Sequence, residues 1–91
     1  EMSGGKITAA DGVVYVNKKV LVTPAAAGGM SSAERAYFVM GNLAAAYKNG
    51  HAASGAYVDG RTVMLGAQPI ISCTSGDQSP EEIANLLNNI K

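Results

Sequence analysis

Ser79-Pro80-Glu81-Glu82-Ile83-Ala84-Asn85-Leu86-Leu87-Asn88-Asn89-Ile90-Lys91 and, 48 positions upstream, Ser31-Ser32-Ala33-Glu34-Arg35-Ala36 are the stretches whose reading decides the fold. In the later stretch Ser79 is placed to cap a helix, Pro80 occupies the first helical position, and Glu82 completes a capping box. Ile83, Leu86, Leu87 and Ile90 follow at i, i+3, i+4 and i+7, one apolar stripe, and Lys91 suits the C-terminal end. The earlier stretch repeats the entry with Ser31 and Glu34. Ala36, Met40, Leu43 and Tyr47 then mark one face, and Asn49-Gly50 supplies the stop. Gly41 inside that helix costs about 1 kcal/mol relative to alanine, tolerable if something packs closely there.

Each helix follows a hairpin pattern. Val13 to Val16 and Val20 to Thr23 are β-branched runs joined by Asn17-Lys18-Lys19. Thr62 to Leu65 and Ile70 to Thr74 are joined by Gly66-Ala67-Gln68-Pro69. Pro69 has no amide hydrogen to give a ladder and belongs at a strand entrance or an edge. Asp11-Gly12 and Asp59-Gly60 precede the two hairpins, and short strands are expected before them at Lys6 to Ala10 and Ala56 to Val58. The Asp-Gly pairs and the Ser-x-x-Glu caps both recur at an offset of 48, which predicts a tandem ββα duplication. A single ββα unit cannot cover its own apolar faces. The expected fold is therefore one α+β domain of two similar halves, about 6–50 and 54–91. It carries a four- to six-stranded, mainly antiparallel sheet with both helices on one face and an open edge able to accept another strand.

Composition narrows the function. Seven basic residues balance seven acidic ones, so the basic surplus that phosphate binding needs is missing, and neither nucleic acid nor an anionic membrane surface is expected as a partner. Charged residues make up 15% of the chain, against roughly 25% in ordinary soluble domains, so little repulsion keeps copies apart. The most apolar run, Ala36 to Tyr47, is interrupted by Gly41 and Asn42 and is too short to span a bilayer. Glu1-Met2-Ser3-Gly4-Gly5 has neither the charged start nor the apolar stretch of a leader, so the chain reads as a trimmed product or a domain of a longer protein.

No catalytic set, metal site or cofactor site is expected. His51 has no His, Cys or Asp at ligand spacing beside it and reads as a solvated loop residue. Cys73, the single cysteine, reads as a small apolar strand residue rather than a nucleophile. Among Asp11, Glu34, Asp59, Asp77, Glu81 and Glu82, most sit at turns or helix starts, where backbone amides account for them. Gly28-Gly29-Met30-Ser31-Ser32 lacks both the P-loop and the dinucleotide fingerprint and reads as a flexible linker into a capped helix. Tyr15 and Tyr57, on strand segments, and Arg61, beside the second Asp-Gly pair, are the candidate partner-binding residues. Tyr37 and Tyr47 are expected in the core or at its rim.

Gly12-Val13-Val14-Tyr15-Val16-Asn17-Lys18-Lys19-Val20-Leu21-Val22, followed by Ala33-Glu34-Arg35-Ala36, resembles a small bacterial extracytoplasmic domain with a V-x-V-N-G-x-x-V-L hairpin and an E-R-A helix. Val58-Asp59-Gly60-Arg61-Thr62-Val63 and Ser79-Pro80-Glu81-Glu82 fill the places of its second hairpin and T-S-P-E helix. Such domains lead some cyanobacterial proteins similar to RlpA-type septal proteins and to mechanosensitive channels. The chain departs from the pattern at Asn17-Lys18, where Asn-Gly is usual. The resemblance implies an extracytoplasmic, accessory role and carries no catalytic residues. The expected function is a non-enzymatic structural or protein-interaction module of the cell envelope, binding itself or another chain through a sheet edge. The alternative is an accessory domain that binds a small ligand or an envelope polymer.

Overall fold

The computed structural model describes residues 7–91, so Lys6, the expected first strand residue, and the leader reading at residues 1–5 lie outside the described residues. Elements run in the order β1 (Ile7–Ala10), β2 (Val13–Val16), β3 (Lys19–Val22), α1 (Ser32–Lys48), β4 (Ala56–Asp59), β5 (Thr62–Leu65), β6 (Gln68–Ser72) and α2 (Pro80–Ile90). A short 3₁₀ turn at His51–Ala53 links the halves. The class is α+β, as expected. The single continuous sheet is corrected to two three-stranded antiparallel sheets, β1-β2-β3 and β4-β5-β6.

The unit is βββα rather than ββα, because the short strands before the Asp-Gly pairs join their sheets in full register. Ile7 pairs with Val16, and Ala56 pairs with Leu65. Each sheet has a register irregularity at the same place, between Val14 and Tyr15 in one and between Val63 and Met64 in the other.

The hairpins correspond at an offset of 49 while the helices keep 48, because the connection from the third strand to the helix cap is one residue shorter in the second unit; turn chemistry explains why the Asp-Gly pairs nevertheless recur at 48. Asp11 and Gly12 both take positive φ, 54° and 78°, and together form the two-residue loop. In the second hairpin Gly60 alone is positive, at 66°. A turn that needs left-handed backbone only at its first position draws the glycine there and leaves Asp59 as the last strand residue. The two Asp-Gly pairs are thus not equivalent positions.

Both capping boxes form. The Glu34 amide donates to Ser31 Oγ at 3.1 Å and the Ser31 amide to Glu34 Oε1 at 2.8 Å. The Glu82 amide donates to Ser79 Oγ at 3.1 Å, and the Ser79 amide to Glu82 Oε1 at 3.4 Å. The buried stripe of α1 is Ala36, Val39, Leu43 and Ala46, so Met40 and Tyr47 move from the expected face to its flanks.

One core serves both units. Val14, Val16, Leu21 and Val22 from the first sheet and Val63, Leu65, Ile70 and Ile71 from the second are buried with Ile83, Leu87 and the α1 stripe. Helix α1 packs on β1 and β2 of its own unit and on β6 of the other; α2 packs on β4 and β5 and on β3. Neither helix covers its apolar stripe with its own sheet alone, which is the physical reason two units are needed.

A buried ion pair locks the exchange. Asp77, on the connection before α2, has its side chain shielded from solvent and bonds Arg35 of α1, whose side chain is 11% exposed, at 2.9 Å. The same carboxylate accepts from the amides of Ala25 and Thr74, both at 2.7 Å, and from the Thr74 hydroxyl at 3.0 Å. Arg35 also donates to the carbonyls of Ala25 and Ser72. Burial by itself would raise the Asp77 pKa. The amides of Ala25 and Thr74, then Arg35 and the Thr74 hydroxyl, outweigh it and hold the carboxyl below its ordinary range.

Removing one partner of such a pair leaves an uncompensated buried charge, so Asp77→Ala should lower unfolding stability by about 3 kcal/mol in urea titrations. A carboxyl depressed by folding stabilises above the unfolded carboxylate pKa of about 3.9 and loses that contribution as pH falls through its lower folded value. Wild-type stability should therefore fall across that acid window, and Asp77→Asn should show a shallower fall. Equal acid slopes for the two proteins would contradict this account.

Candidate functional site: the outer face of helix α1

The three residues singled out from the sequence do not form one site. Tyr15 lies half-buried in the middle strand of the first sheet, opposite Thr8 and Val20. Tyr57 is exposed on β4 of the second sheet, and its hydroxyl donates to the Gly66 carbonyl at 3.1 Å. Arg61 is exposed, yet its Nε donates to the Cys73 carbonyl at 3.0 Å while the Cys73 amide donates to the Arg61 carbonyl at 2.9 Å. Arg61 therefore clamps the exit of β6.

His51 is half-buried against the β5–β6 turn; a Cβ at Gly66 would come within 2.8 Å of its Nδ1, so the loop is packed there rather than freely solvated. Cys73 is buried, and burial first, then the Asp77 carboxylate, push its thiol up, away from the thiolate a nucleophile requires. Gly28 and Gly29 form a tight turn in which Ala27 and Met30 exchange backbone hydrogen bonds of 3.0 and 2.9 Å, so this segment is an ordered turn and not a flexible linker. Among the described residues no group of three His, Cys, Asp or Glu side chains could hold a metal. No helix among them is long and apolar enough to cross a membrane.

On the second sheet the expected open edge is covered in part by helix side chains. The register leaves the amide and carbonyl of Ala56 turned away from β5, and the Asn88 side chain takes both, at 2.8 and 3.0 Å. On β6, Asn42 donates to the Ile70 carbonyl at 2.9 Å and Arg35 to the Ser72 carbonyl at 3.1 Å, while Pro69 has no amide hydrogen to offer. Helix side chains thus occupy some of the groups that a fourth strand would use. In the first unit the places of Asn88 and Asn42 correspond, by the helical offset, to Met40 and Ile90, whose side chains have no amide to give.

The strongest departure from an ordinary surface lies on α1. Phe38 is 65% exposed and Tyr37 is 57% exposed, although the chain has one phenylalanine and four tyrosines in all. Phe38 borders a shallow groove of about 180 Å³ between α1 and β6, with Met30, Arg35, Val39, Asn42, Ile71 and Ser72 among its other walls. Along the same outer face run Gly41, Ala44 and Ala45. The matching outer face of α2 is mostly polar, with Glu81, Glu82, Asn85, Asn88 and Asn89 exposed and a half-buried Leu86 at the place of Phe38. One fold position is therefore mostly solvated in one unit and apolar in the other. The sequence carried a signal for this: with Ala36, Val39, Leu43 and Ala46 as the core stripe, Phe38 falls outside it.

No family model, characterised protein or solved structure matches the chain.

Asn88→Ala should cost about 1 kcal/mol in urea unfolding through its two lost bonds, and it should expose the β4 edge. Light scattering on heating should show earlier aggregation than wild type. An unchanged aggregation onset would mean that the edge is protected by something else.

Proposed function

We propose that the chain is a non-enzymatic protein-interaction module of the bacterial cell envelope, docking a protein partner through the outer face of α1. The observation that carries this reading is the adjacent exposure of Tyr37 and Phe38 on a helix whose counterpart turns mainly asparagine and glutamate outward and holds a half-buried Leu86 at the place of Phe38. Aromatic side chains left in water in a domain short of aromatics are the usual anchors of protein interfaces. The envelope location rests on the resemblance of the two hairpin-and-helix segments, and the balanced, sparse charge supports a protein partner over nucleic acid.

Docking through a sheet edge, the route the pattern of strands first suggests, is disfavoured on the second sheet by Asn42, Arg35 and Asn88. The small-ligand alternative is weakened by shape: the groove of about 180 Å³ beside Phe38 and the hollow of about 310 Å³ over Glu34, Tyr37 and Phe38 are both wide open to solvent, unlike the enclosed clefts that bury most of a ligand. Shared strand registers and the repeated irregularity support an origin of the two units by tandem duplication, with the outer helix face diverging in the first.

A double variant, Tyr37→Ser with Phe38→Ser, should keep its melting temperature close to wild type, since both side chains lie outside the core. Sedimentation velocity of the wild-type chain, alone and in a soluble envelope extract of the source cells, should show a heavier species that the double variant fails to form. If both proteins sediment as identical monomers in both settings, the face binds nothing and the reading falls.

A further inference from the structure

The partner of α1 can be taken further, on the reading that this face docks protein. Gly41 sits at the centre of the outer face, opposite the buried stripe of Ala36, Val39, Leu43 and Ala46. Among the described residues, its chain neighbours and its own helix backbone aside, nothing lies within 4 Å of where a Cβ on Gly41 would stand, and its backbone is ordinary helix. The fold therefore gives no reason for a glycine that costs about 1 kcal/mol relative to alanine in a helix interior.

The residues around Gly41 are self-complementary. In two antiparallel helices related by a two-fold axis at position 41, a residue a given number of places before Gly41 meets the one as many places after it in the other copy. That rule sets Glu34 opposite Lys48, Tyr37 opposite Ala45, and Phe38 opposite Ala44. All seven positions fall within about 60° of Gly41 on a helix turning about 100° per residue. Each match has a physical sense: an acid meets a base, and each aromatic ring meets a methyl group that leaves it room. Glycine meets glycine where the helices come nearest. Glu34 is held in place by its bond to the Ser31 amide, and Lys48 is exposed in the last helical turn.

We infer that the occupant of this face is a second copy of the chain, packed as an antiparallel α1–α1 pair about a two-fold axis through Gly41. The pairing supplies the close approach that explains the glycine and covers four aromatic side chains at once. It also joins the two charges at the helix ends, which otherwise flank an uncharged stripe.

The experiment uses the full chain with Cys73→Ala to remove the native thiol. Light scattering over a dilution series should show the mass falling from twice the monomer value toward the monomer value. Gly41→Cys, placed on the proposed axis, should form an interchain disulfide under mild oxidation at least about tenfold faster than Asn85→Cys, exposed on the outer face of α2. Lys48→Glu, which sets acid against acid, should weaken the dimer about tenfold while leaving the circular dichroism spectrum unchanged. A chain that stays monomeric at every concentration overturns the inference. So does a dimer in which Gly41→Cys cross-links no faster than Asn85→Cys, or one indifferent to Lys48→Glu. Should the heavier species in envelope extract still depend on Tyr37 and Phe38 while the isolated chain is monomeric, the α1 face binds a different protein. The docking reading then stands and the homodimer does not.

Discussion

The Arg35–Asp77 pair is the interaction on which the arrangement of the two units turns. It joins the first helix to the connection before the second, and Asp77 also takes the Ala25 amide from the connection before α1. Three segments distant in sequence thus meet on one carboxylate. A buried charge is tolerable only when its bonding sites are filled, and here both oxygens are used, by two backbone amides, a hydroxyl and a guanidinium. Because Arg35 also reaches the Ser72 carbonyl, the start of α1 is held along β6. Fixing that side of the helix fixes its opposite side, and the orientation of Tyr37, Phe38 and Gly41 toward solvent follows.

Edge closure is the second consequence of the helices crossing between units. A three-stranded sheet has two open rims, and short sheets with apolar faces invite a fourth strand. Asn42 and Asn88 present amide groups to strand backbone much as a neighbouring strand would. Pro69 contributes by omission, since a strand that aligned there would find no donor. With the second sheet covered in part in this way, the apolar outer face of α1 is left as the broader route for association.

The helices, their caps and the turn-punctuated strands were legible because each rests on chemistry local to a few residues. Ser31 with Glu34 and Ser79 with Glu82 form the boxes their spacing requires, and Pro80 sits at the helix start. Two sheets in place of one were not legible, since the decisive contacts, Asn42 to Ile70 and Asn88 to Ala56, join residues far apart in the chain. The offset of 48 was half right for a local reason. Serine caps mark the same point on both helices, whereas an Asp-Gly pair can fill a loop together or place only its glycine there. Asp77 bonds locally to Thr74, but its ion pair with Arg35 crosses between units and left no local trace. Tyr37 was expected at the core or rim and lies outside, because small residues, Ala36 and Ala46, hold the core positions on either side of Val39 and Leu43.

Comparing equivalent positions explains why the two units are not interchangeable. The second carries the stapling groups: Asp77, where the helical offset places Gly29 in the first; Asn88, where the first has Met40; and Pro69, where the hairpin offset places Val20. The first gives its helix an aromatic and alanine face where the second has asparagines and glutamates. A unit that closes its own edges gains order without gaining a partner, while a unit that leaves aromatic rings in water loses solubility unless something covers them. On the proposed docking, Gly41 belongs with the second course. A helix-weakening residue in the middle of an exposed face adds nothing to a solitary domain, and it becomes favourable once another helix lies across it.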